Sequence, residues 1–143
     1  MRAENSTKPR LTPQEALIYA MVTVAAADRK ITEHELLRIN TMVSELPAFR
    51  GIGDSWLSRE AQNCGRELAK PDGVKTVVGM IVDGVPQNLR ETAYALAAEV
   101  AASDLTIRDD ERNFLTLLAE GLNIDPLVRA ALERSAHARH MPA

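Results

Sequence analysis

A chain of 143 residues, 45% hydrophobic and 26% charged, is long enough to bury a core and has the composition of a globular domain, not a disordered one. A net charge of −3 excludes a dominant basic footprint for nucleic acid. Cys64 is the only cysteine, which excludes an internal disulfide and points to a reducing cytoplasm. The longest apolar-rich run, Ala16–Ala27, is shorter than the roughly 20 residues of a membrane span, so no membrane insertion is expected.

Residues 1–10, MRAENSTKPR, read as a polar, disordered lead with no apolar signal core, which leaves residues 11–140 for one helical domain. Thr12, Pro13 and Glu15 make a capping box with proline at the first helical position. The helix that follows runs to about Ala27 and is apolar on nearly every side, through Leu17, Ile18, Tyr19, Met21, Val22 and Val24. A helix of that kind belongs at the centre of a fold. Thr32 and Glu35 form a second capping box, opening a helix with the stripe Leu36, Ile39, Val43 and Leu46 that ends before Pro47.

Phe49–Gly53 reads as a loop, and Asp54 or Ser55 as the cap of a third helix carrying Leu57, Ala61, Cys64 and Leu68 on one face. Pro71, Asp72 and Gly73 break it. Val74, Val77, Val78, Ile81, Val82 and Val85 then follow helical spacing. Their β-branching also suits a strand, but a lone strand here has no partner. Gly84 and Pro86 separate this helix from the Ala-rich one at Gln87–Ser103, which mirrors the first. An amphipathic helix with Phe114, Leu115, Leu117, Leu118 and Leu122 comes next, with Gly121 as its C-cap. Asp125 and Pro126 open a final helix through about His137, with Leu127, Val128, Ala131 and Leu132 facing inward. The expectation is an all-α fold of about seven helices, in two duplicated helix-turn-helix halves whose Ala-rich members pack together as the middle of a bundle.

The duplication is written in the turns. Residues 25–35, AAADRKITEHE, and 101–111, AASDLTIRDDE, share the skeleton A-A-x-D-x-x-I-x-x-x-E. Asp28, Ile31 and Glu35 recur at one constant offset as Asp104, Ile107 and Glu111. One account of these carboxylates is structural, since acids near a helix N-terminus answer its dipole and cap free N–H groups. It is complete for Glu35, which has Thr32, and incomplete for Glu111, whose residue three back is Arg108. Asp28 and Asp104 fall where a helix C-terminus disfavours negative charge, although each suits a turn bonded to its own backbone. The other account is a hard-cation site for Ca²⁺ or Mg²⁺ that pools Asp28, Glu35, Asp104 and Glu111 from converging turns. Glu33, Asp109 and Asp110 would be outer contributors. Neither copy is an EF-hand: the early ligand positions fall on Val24, Ala26, Val100 and Ala102, and the turn glycine is replaced by Arg29 or Leu105.

The doubled motif, set between an Ala-rich and a Leu-rich helix over roughly residues 13–135, resembles the tellurite-resistance TerB-like family. That resemblance implies an internally duplicated helical fold and a part in resistance to tellurite and related chemical stress. It also implies a divalent-metal site at Asp28, Glu35, Asp104 and Glu111. The family has glycine after the aspartate, where this chain has Arg29 and Leu105.

Other features fit a structural reading. His34 is a zinc-ligand type beside Glu35, but the second copy has Asp110 there. His137 and His140 share a face on a tail expected to be solvated, and Cys64 sits on an apolar stripe. No nucleophile, phosphate-loop or dinucleotide motif occurs. The sequence thus points to a non-enzymatic, cytoplasmic protein that binds a divalent cation weakly at its acidic turns and acts through protein partners in a stress-response complex, without nucleic acid, as a monomer or a homodimer. A metal-free interaction module whose acids only shape turns is the alternative.

Overall fold

The most apolar segment of the sequence, helix α1 (Pro13–Ala26), lies at the centre because it has no polar face to give to water. In the computed structural model, which describes residues 10–26, 30–103 and 107–143, every residue of α1 from Ala16 to Ala26 is buried. Its start follows the expected box: Thr12 N–H donates to Glu15 Oε1 at 2.9 Å and Glu15 N–H to Thr12 Oγ1 at 3.2 Å. Around it stand α2 (Glu33–Val43), α3 (Asp54–Leu68), α4 (Gly73–Gly84), α5 (Arg90–Ser103), α6 (Asp109–Gly121) and α7 (Pro126–Arg139). Pro47–Phe49 and Gln87–Leu89 are short 3₁₀ turns. Among the described residues there is no strand, so the valine-rich segment is a helix. None of these helices is long and apolar enough to cross a membrane.

The closest partnership of α1 is with α5, followed by α3 and α4. Ala93, Ala97, Ala98 and Ala101 lie in the buried surface of α5. Methyl side chains let two helix backbones approach closely, so the two Ala-rich helices form the middle, as their composition requires. Leu17, Ile18, Met21, Val77, Ile81 and Leu118 are fully buried around them, each contributing about 1.5–3 kcal/mol of apolar burial.

Three helix ends depart from the sequence reading, at the starts of α3 and α5 and the end of α6, while α4 begins at the expected break. The N-cap of α3 is Gly53 with no side-chain bond, and Asp54 is already helical. The α-helix of the second Ala-rich segment begins at Arg90, because the 3₁₀ turn takes up residues 87–89. Helix α4 starts where Asp72 adopts φ 56° and ψ 31°; a Cβ on Gly73 would stand 2.3 Å from the Leu68 carbonyl oxygen. At the end of α6 the left-handed residue is Asn123, φ 56°, not Gly121. Ile124 N–H bonds Ala119 O at 2.9 Å and Asn123 N–H bonds Glu120 O at 3.1 Å, a Schellman arrangement. Gly121 serves packing instead: a Cβ there would lie 2.8 Å from Val82 Cγ2 on α4.

Helix α7 is capped by Asp125, whose Oδ1 accepts from Leu127 N–H at 2.8 Å. Its inward face is only partly the expected one. Leu127 is 82% exposed and Ala131 is exposed, while Val128, Leu132 and Ala136 turn toward the core. Arg129 and Glu133 are drawn to the same side by the Tyr94 hydroxyl of α5: Arg129 Nε donates to it at 3.1 Å and to Glu133 Oε2 at 2.9 Å, and the hydroxyl donates to Glu133. That polar lock sets the rotation of the helix. Burial, and then the bond to Glu133, push the Tyr94 phenol above its ordinary range.

Candidate functional site

Glu35 and Glu111 are held in the same way by different neighbours. Glu35 Oε1 accepts the N–H of Thr32 at 3.0 Å, and Thr32 Oγ1 accepts the N–H of Glu35 at 3.1 Å. Glu111 Oε1 accepts the N–H of Arg108 at 2.8 Å. An arginine side chain has no acceptor, so the returning bond is made elsewhere, from Glu111 N–H to Asp110 Oδ1 at 3.0 Å. The capping role that Arg108 seemed to exclude is therefore present, because the half that Glu111 performs needs only a backbone amide. Glu111 is 4% exposed, and Arg108 lies beside it, Nη2 to Oε2 3.9 Å and Nε to Asp110 Oδ1 3.7 Å.

The isoleucines of the two motifs have one task, packing from each turn against the core. Asp28 and Asp104, the other half of the expected four-acid set, lie outside the described residues. Among the described residues no three His, Cys, Asp or Glu side chains gather as a metal site. Of the outer acids, Glu33 and Asp109 are exposed. Asp110 Oδ2 is buried without a hydrogen-bond partner.

The remaining reactive side chains are absorbed by the fold. Cys64 is fully buried with its sulfur 3.6 Å from Thr23 Oγ1; burial pushes the thiol up to about 12, only partly offset by the Thr23 bond. Tyr19 is likewise raised by burial. The tail is more ordered than its composition suggested. His140 Nε2 lies 2.8 Å from Glu99 Oε2, and Arg139 pairs with the same carboxylate, which raises the guanidinium pKa. His137 lines a small hollow of about 100 Å³ with Glu133 and alanines of α5.

The sequence reading passed over Arg38. Its Nη1 donates to Ser103 Oγ at 3.0 Å, joining α2 to the end of α5, and its Nη2 to His34 Nε2 at 3.1 Å. The one signal available was its position one helical turn after His34.

The fold and these sites define an all-α bundle built on two capped acidic turns. A family model described as a protein of unknown function, DUF533, matches residues 2–136. The chain belongs to that family. No curated protein and no solved structure matches it.

Proposed function

We propose that this protein is a non-enzymatic, TerB-like helical interaction module that acts through protein partners in a response to tellurite or related oxidative stress. Its acidic turns serve as helix caps. The observation that carries the reading is that Glu35 and Glu111 each commit Oε1 to the N-cap amide of their own helix. The doubled motif supplies the kinship. The test has two arms. Chelator is expected to leave the melting temperature unchanged, and Asp28→Asn with Asp104→Asn to cost the same stability with or without divalent ions. Loss of the gene in its host is expected to lower survival on tellurite or peroxide, and the parent gene to restore it. A chelator-sensitive melt overturns the first arm, and unaltered survival the second.

A second reading has one observation in its favour. The buried Asp110 Oδ2 has no donor and adjoins Glu111, and a carboxylate oxygen in that state suits a cation. In this reading Ca²⁺ or Mg²⁺ is bound with Asp28, Glu35, Asp104 and Glu111 as ligands. Titration calorimetry with Ca²⁺, Mg²⁺ and Mn²⁺ separates the two, because only the cation reading gives heat that the aspartate substitutions remove.

A further inference from the structure

Helix α2, the end of α5 and the residue after α7 enclose an open groove of about 490 Å³. Arg38 stands in it, with His34 one turn before it, Ser103 against it and His140 on the opposite element. The guanidinium is half-buried, and its bonds go to a hydroxyl and an imidazole nitrogen. Since arginine only donates, His34 Nε2 is the acceptor of that bond. Among the described residues no carboxylate pairs with Arg38, and Glu99, whose partner His140 lines the groove, is engaged by Arg139 and His140. A positive charge is thus held in a groove by a hydroxyl and an imidazole nitrogen, with no carboxylate on it among the described residues.

The same place gathers apolar surface. Large exposed apolar side chains among the described residues are Leu37, Leu127 and Met141. Leu37, 63% exposed, lines the groove with Met42, and Met141, 57% exposed, directly follows His140. One guanidinium flanked by aliphatic and thioether side chains matches one carboxylate flanked by aliphatic side chains. It does not match a phosphate backbone, which needs a row of cations and would meet a protein of net charge −3.

We propose that this groove is the partner-binding surface, and that its ligand is a peptide segment of another protein carrying an Asp or Glu between Leu, Ile or Met side chains. The carboxylate sits on Arg38 and the aliphatic groups on Leu37 and Met42. This rests on the interaction-module reading and names the surface and the chemistry of the partner.

Selection from a random peptide library on the full chain, followed by fluorescence anisotropy with one selected peptide, tests it. The selected sequences are expected to share an acid between aliphatic residues. Arg38→Ala is expected to weaken binding about tenfold or more, which corresponds to one charge-assisted pair, and Leu37→Ala by about fivefold through lost apolar contact. Changing the peptide carboxylate to its amide is expected to cost the parent the same factor as Arg38→Ala and to cost Arg38→Ala nothing. Leu37 is exposed, so its variant and the amide peptide decide the matter even if Arg38→Ala fails to fold. Four results overturn the proposal: no acidic peptide selected, binding indifferent to Arg38 and Leu37, displacement of the peptide by anionic vesicles or single-stranded DNA, or a dimer of this chain that Arg38→Ala dissolves. A protein that binds no such peptide yet melts independently of chelator loses only the groove and keeps the capping role of its turns.

Discussion

The two acidic turns solve one problem with different parts. At the first, Thr32 and Glu35 exchange bonds and close a complete box at a solvent-exposed turn. At the second, Glu111 does its half from a position 4% exposed, and Asp110 replaces the missing hydroxyl by accepting Glu111 N–H from one residue away. The glutamate recurs because the unsatisfied N-cap amide recurs. The residue opposite it is replaceable because its return bond has more than one source. The depth of the second turn raises the cost of disturbing it.

That contrast is most sharply broken at Glu111. Glu111→Ala should cost about 2–3 kcal/mol, since it leaves the Arg108 amide without its acceptor at a buried site; denaturant unfolding measures it, and a value below that for Glu35→Ala would overturn the comparison. Glu111→Gln keeps an acceptor oxygen and should recover more than half of the loss. At the first turn Thr32→Ala and Glu35→Ala should each cost about 1 kcal/mol, the usual value of a cap, and together less than their sum because they share one box. Smallest is Arg108→Gln, about 0.5 kcal/mol or less by the same unfolding assay, because the bond that caps the helix comes from its backbone.

A pH series separates the turns from the core around them. Cys64 has its thiol raised from 9.0 to about 12 by burial, so the folded protein keeps a proton that the unfolded chain releases near pH 9. Stability from this group is fully present below pH 9 and is lost as pH rises toward 12, by up to about 4 kcal/mol. Tyr94 and Tyr19, also raised, act in the same direction. Thermal melts between pH 8 and 11 should show a falling midpoint that Cys64→Ala makes shallower and that Thr32→Ala leaves parallel to the parent.

Legibility in the sequence followed the range of the forces involved. The Thr12, Thr32 and Asp125 caps were readable because donor and acceptor lie within three residues. The helical nature of α4 was readable from spacing despite its valines. The role of Gly121 was not, because the atom that excludes a side chain there belongs to Val82 on another helix. Leu127 looked like core because an apolar residue in the first turn of a helix gives no sign of the helix's rotation, which Tyr94 sets from α5. Of the candidate site, the two glutamates were readable as acids and not as caps of equal standing. The partner of Glu111 is a main-chain amide, which no pattern of side chains displays.

The sequence by itself determined that the chain is helical, that its two Ala-rich segments are central and that its turns are duplicated, since periodicity, side-chain size and local capping are properties of neighbouring residues. Only the tertiary structure decided which face of α7 is inward, what buries Glu111, and that Arg38 meets Ser103 across the groove. Each of these depends on groups far apart in the chain whose meeting is fixed by how the helices pack.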